Sequence, residues 1–101
     1  MSFGLRPTDL EYIRAAVSRF PEIEKAVIFG SRAKGTSKPG SDVDLAIWGG
    51  GISLTTVARL HALLEDESPM PYFFDIVDYT HLGQAALREE IDRVGRVIFV
   101  R

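Results

Sequence analysis

The sequence predicts an α/β fold, on two observations: short apolar runs of strand length alternate with segments of helical period, and glycine, proline or serine clusters mark the junctions. At 101 residues the chain fits one domain, residues 1–101, with a modest core. Hydrophobic residues at 46% and charged residues at 26% are a globular balance, which sets aside a disordered or membrane-spanning chain.

The first predicted element is a helix over 8–20. Thr8 and Glu11 have capping-box spacing, and Leu10, Ile13, Val17 and Phe20 share a face before Pro21. KAVIF, residues 25–29, reads as a buried strand stopped by Gly30. Ser31 is placed to cap one helical turn ending at Gly35, and TSKPGS, 36–41, is turn chemistry. DVDLAIW, 42–48, is the second strand. A helix over 53–67 aligns Leu54, Val57, Leu60 and Leu64, and SPMP closes it. YFFDIVD, 72–78, is the third strand. A helix from Thr80 carries Leu87, Ile91 and Val94 to a C-terminal cap at Gly95, and RVIFV is the last strand.

Composition excludes several function classes. With no cysteine there are no disulfides or thiolate metal sites, so a metal would be held by oxygen or imidazole. A net charge of -2 argues against an extended nucleic-acid surface but leaves room for a small anion. The N-terminal residues show neither a secretion signal nor a membrane span, so a cytoplasmic location is expected.

The unusual feature is acid inside a strand. Alternation puts Asp42 and Asp44 on one face and Val43, Leu45 and Ile47 on the other. Asp75 sits between Phe74 and Ile76, where a buried strand would carry an apolar residue. If the two strands are neighbours, three carboxylates converge. Two unit charges about 4 Å apart repel by roughly 4 kcal/mol at an effective dielectric near 20, so the cluster calls for a divalent cation. All-oxygen ligation of this kind suits magnesium at phosphoryl-transfer sites. Gly30, the Ser31 hydroxyl and Lys34 supply a turn that can cradle a phosphate. The bland alternative is a turn cap at Asp42, an edge ion pair at Asp44 and a solvated Asp75. A Walker loop fails because Thr36 stands where its lysine belongs, and a calcium loop fails because Ala46 occupies the next ligand position.

Gly30-Ser31, ten residues, then Asp42-Val43-Asp44, with Asp75 in a later strand, resembles the signature of the polymerase β-like nucleotidyltransferase superfamily. The size resembles its minimal nucleotidyltransferase (MNT) branch, the antitoxin half of HEPN/MNT toxin-antitoxin pairs. The resemblance implies a mixed sheet of about four strands flanked by helices. It also implies two magnesium ions on Asp42 and Asp44, with Asp75 as the third carboxylate and Gly30 and Ser31 on the phosphates. Lys34 stands where relatives commonly have arginine, which keeps the charge but not the bidentate fork. The implied activity is transfer of a nucleoside monophosphate, AMP from ATP, to a hydroxyl. The implied acceptor is a tyrosine of a small helical HEPN-type toxin, with an aminoglycoside-like small molecule as another option. The competing expectation is a binding subunit that neutralises its partner by contact, with RVIFV at a sheet edge open to another chain.

Other residues are set outside the site. Arg32 reads as a solvated surface arginine, and His61 and His81 as packed or solvent-facing. Asp78 starts the turn toward Thr80, Trp48 is packing, and EDE at 65–67 is a solvated helix end.

Overall fold

The computed structural model describes residues 3–38 and 40–101. Pro39, within the expected turn at 36–41, lies outside the described residues. Four strands form one sheet: β1 (Lys25–Phe29), β2 (Val43–Trp48), β3 (Phe74–Asp78) and β4 (Arg96–Val100), in the order β3-β2-β1-β4. β1 runs antiparallel to both β2 and β4, whereas β2 and β3 are parallel. Parallel neighbours need a crossover, and α3 (Leu54–Glu65) supplies it. The other helices are α1 (Pro7–Ser18), the short α2 (Gly30–Lys34) and α4 (Ala85–Val94). This is the mixed four-stranded sheet with flanking helices that the sequence leads one to expect.

Alternation along the strands sorts residues onto two layers. Ala26 and Ile28 of β1 join Val43, Leu45 and Ile47 of β2 in the larger core, with Ile13 and Val17 of α1 and Leu60 and Leu64 of α3. Val27, Phe29 and Ala46 point the other way and pack with Ile91 of α4, flanked by Trp48, Val77, Tyr79, Leu87 and Val94. The second layer is thinner. At the end of the sheet beside α2 this face carries Asp44, with Asp75 next to it.

Several boundaries differ from expectation, each for a local reason. α1 begins one residue earlier than the Thr8 start because Pro7 is preset for the first helical position. Its capping box is made by Arg6 and the buried Asp9, whose carboxylate accepts the Arg6 amide at 3.1 Å, in place of Thr8 and Glu11. α2 starts at Gly30, so Ser31 lies inside the turn and is not its cap. β2 starts at Val43, which places Asp42 just before the strand, and β3 starts at Phe74. α4 starts at Ala85: residues 79–82 form a turn in which the Leu82 amide donates to the Tyr79 carbonyl at 3.2 Å. Gly95 does follow α4, but its φ is -63°, so left-handed backbone is not what requires glycine. A Cβ there would come within 2.5 Å of both the Ile91 carbonyl oxygen and Val27 Cγ1. Close approach of helix and sheet is the reason.

Candidate active site

The sheet register assembles the site. Asp44 is the paired neighbour of Phe29 on β1 and of Asp75 on β3, so it stands where the C-terminal end of β1 meets the starts of β2 and β3. In-register residues on parallel strands project to the same face, and Asp44 and Asp75 therefore share the face occupied by α4. Asp42 falls two positions before Asp44, outside the strand. Asp44 is half-buried, while Asp42 and Asp75 are exposed.

Gly30 lies directly against Asp44. Its φ of 71° is left-handed, and a Cβ there would overlap Asp44 Oδ2. Glycine is thus required twice over, by the turn and by the carboxylate packed on the backbone. Left-handed Gly35, at φ 78°, ends the single turn of α2. The turn presents Ser31, half-buried, on the same end of the sheet. Lys34, at the end of the turn, donates to Glu90 Oε1 of α4 at 3.0 Å, with both side chains more than a third exposed.

The electrostatics follow from this crowding. Burial first, then the charges of Asp75, Asp42 and Glu90, push the Asp44 carboxyl up to about 6, against a smaller opposing pull from Arg32. A cation at this end of the sheet would relieve the cost, and the carboxylate oxygens are hard donors that suit magnesium. Among the described residues, no three His, Cys, Asp or Glu side chains close on a common metal-holding point. The pairing that is formed is Asp44 beside Asp75. The fit to a divalent ion rests on that pair, its raised carboxyl and the Gly30 backbone against it.

Two residues of this neighbourhood escape sequence reading. Glu90 approaches Asp44 from α4, and as a charge on the polar side of a helix it carries no signal in one dimension. Arg32 is the clearer correction. It is 2% exposed, not solvated: Nε and Nη2 donate to the Ser41 carbonyl at 3.2 and 2.7 Å, and Nη1 donates to the Phe3 carbonyl at 2.8 Å. Its guanidinium lies 4.8 Å from the centroid of the Tyr72 ring. Of the EDE run, Asp66 and Glu67 are exposed as expected, but Glu65 is not solvated: its side chain is 16% exposed and accepts the Phe74 amide at 2.7 Å. The other exclusions match their expectations. Asp78 ends β3 and accepts from the His81 ring at 2.6 Å, His61 meets Glu65 at 2.7 Å, and Trp48 stacks on Tyr79 with centroids 4.3 Å apart.

Comparison with known proteins adds an independent line. A model of the family described as "Polymerase beta, Nucleotidyltransferase" matches residues 11–101. No curated protein sequence matches the chain. Among solved structures, a toxin-antitoxin crystallised with AMP-PNP superposes with a TM-score of 0.77 at 19% identity, covering 91% of this chain and 73% of that one. The MntA-HepT toxin-antitoxin gives 0.72 at 15% identity, over 95% and 74%. A protein from Sulfolobus solfataricus assigned as a nucleotidyltransferase gives 0.56 at 22% identity, over 91% and 77%. At these identities the structural matches establish the fold. No helix of the described residues is long and apolar enough to cross a membrane.

Proposed function

Because the chain belongs to the polymerase β nucleotidyltransferase family, we propose that it transfers a nucleoside monophosphate, AMP from ATP, to a hydroxyl of a partner protein. The observation that carries this reading is the in-register placement of Asp44 beside Asp75, against the backbone of Gly30. Asp42, Asp44 and Asp75 would hold two magnesium ions. Bound magnesium would neutralise the triphosphate and lower the pKa of the attacking hydroxyl.

The chain's own groups act around that chemistry. Gly30 lets the nucleotide's phosphates approach the backbone closely, and Ser31 offers a hydroxyl beside it. Lys34 contributes positive charge as a point donor, once it leaves Glu90. Asp44, with its carboxyl near 6, is ionised at neutral pH and able to act as a ligand. Asp75, exposed at the edge of the pair, is the best-placed acceptor for the hydroxyl proton. The acceptor oxygen forms a bond to the α-phosphorus, the bond from that phosphorus to the bridging oxygen breaks, and pyrophosphate leaves with the electron pair. No covalent enzyme intermediate is needed, and positioning with charge neutralisation carries the rate.

The proposed partner is a small helical HEPN-type toxin, with a tyrosine as acceptor. Support comes from the fold shared with chains of toxin-antitoxin complexes, one of them crystallised with AMP-PNP. A second reading, neutralisation by contact alone, draws on β4: it is an edge strand, with Val97 and Val100 exposed. Labelled ATP and magnesium, with and without the product of the adjacent reading frame, separate the two. Label moving to the partner, and abolished by Asp42→Asn with Asp44→Asn, supports transfer. Full neutralisation of the partner by that double variant would sink it in favour of contact.

A further inference from the structure

Arg32 contradicts the expectation for a charged residue in a glycine-rich turn, because it is sunk into the protein and not aimed at solvent. Burying a guanidinium costs several kcal/mol unless hydrogen bonds and charges compensate it. Here the compensation is made of carbonyls and a ring. No carboxylate lies within ion-pair distance of it among the described residues. An apolar side chain of similar length would fill the space without the desolvation penalty. What an apolar side chain cannot do is hold three backbone segments at fixed separation.

Two of those segments, its own turn and the one ending at Ser41, carry the site; the third is anchored at the Phe3 carbonyl, and the strand of Asp75 is reached through a side-chain ring. Arg32 itself follows Gly30 and Ser31 on α2. Its fork closes on the Ser41 carbonyl, immediately before Asp42, while the Val43 amide immediately after donates to the Phe73 carbonyl at 2.9 Å. Asp42 is therefore pinned on both sides. The ring beneath the guanidinium belongs to Tyr72, three residues before Asp75, and the Tyr72 hydroxyl is itself anchored on Asp9 at 3.3 Å. Backbone closes over the far side, where a Cβ at Gly4 would stand 3.0 Å from Arg32 Nη1.

We propose that Arg32 is a positioning residue that fixes the phosphate turn, Asp42 and the approach to Asp75 relative to one another, and so sets the affinity of the site for divalent metal. This rests on the functional reading above. The decisive property is the planar fork, which a lysine cannot reproduce although it keeps the charge.

The test measures Mn2+ binding by electron paramagnetic resonance with a non-hydrolysable ATP analogue present, and thermal unfolding alongside. The proteins are wild type, Arg32→Lys, Arg32→Met and Leu64→Ala, the last removing a fully buried side chain of the larger core, on α3, as a destabilised reference. Both Arg32 variants are expected to bind Mn2+ about tenfold more weakly at a temperature where they are folded, as second-layer changes at metal sites generally do. Lysine should not rescue, and Leu64→Ala should keep wild-type affinity despite its lower midpoint. Should the Arg32 variants fail to fold, Tyr72→Ala takes their place, with an expected loss of about threefold. Wild-type affinity in a folded Arg32 variant or in Tyr72→Ala overturns the inference, as does an equal loss in Leu64→Ala. No Mn2+ binding by the wild type would overturn the functional reading and this inference with it.

Discussion

Two faces of one strand make the instructive contrast in this molecule. On β2, Val43, Leu45 and Ile47 are fully buried in the larger core, while Asp44, Ala46 and Trp48 face the layer under α4. The first face is uniform and closed. The second runs from a stacked tryptophan at one end to a half-buried acid at the other, so one six-residue strand supplies both packing and a charged site. The difference teaches that the core face creates stability and the acid end consumes some of it, since Asp44 is held ionised at neutral pH against burial and its neighbours.

The largest effect expected on that contrast comes from breaking the closed face. Leu45→Ala removes a fully buried side chain of the larger core and should cost about 3 kcal/mol. For a domain of this size each kcal/mol corresponds to roughly 4–8 °C in midpoint, so calorimetry should show a fall of more than about 10 °C. A fall below a few degrees would mean that the core refills around the cavity and is less specified than its burial indicates.

A change at the acid end should move stability the other way. Asp44→Asn abolishes transfer on the functional reading, yet it removes a carboxyl whose charging the fold resists. For a fully buried group a shift from 3.8 to about 6 would correspond to about 3 kcal/mol; solvent screening of this half-exposed carboxyl reduces that to about 1 kcal/mol. Below both values the group is protonated in folded and unfolded chains alike and contributes nothing. Between about 4 and 6 the unfolded chain ionises first, so the contribution of Asp44 to the metal-free protein is a loss of stability as pH rises through that window, and it stays lost above it. Asn at 44 should remove this contribution and raise the midpoint at pH 7, and magnesium should stabilise wild type but not the variant. Asp9 and Glu22, whose carboxyls are held below their ordinary values, contribute with the opposite sign, so the difference between wild type and Asp44→Asn is the readout: no relative decline of wild type between pH 4 and 6 would contradict the crowding described for Asp44.

How much of each face was legible follows the same division. The core face is written in sequence by alternation and by runs such as KAVIF, whose boundaries match β1 at both ends. The neighbouring positions of Asp44 and Asp75 were also legible, because a carboxylate at a strand position violates the pattern around it; Asp42, expected in the strand, lies just before it. What could not be read were the partners that reach the site across the fold. Arg32 looks like any arginine in a polar turn until the Phe3 and Ser41 carbonyls and the Tyr72 ring close around it. The α1 cap was misassigned because Thr8 and Glu11 imitate a capping box, while the pairing that forms depends on a buried Asp9 also held by distant Tyr72. Glu90 is a further case, since only α4 docking brings it near Asp44 and Lys34.

Glu90 gives the smallest of the expected effects and the finest probe of the acid end. Its pair with Lys34 joins two partly exposed side chains, and pairs open to solvent contribute little to stability, so Glu90→Gln should leave the midpoint within about 2 °C. Its influence on the ligand should be larger than that on the fold. On the functional reading the carboxylate would compete with triphosphate for Lys34, and it adds negative charge beside Asp44, so its removal should tighten ATP binding about two- to threefold. The gain should shrink with added salt, as a through-solvent effect must. Titration calorimetry at low and high ionic strength, with Lys34→Ala as the reciprocal variant, measures both. Weaker ATP binding in Glu90→Gln would show instead that the pair holds Lys34 in the orientation the phosphates require, making Glu90 a support of the site and not a competitor within it.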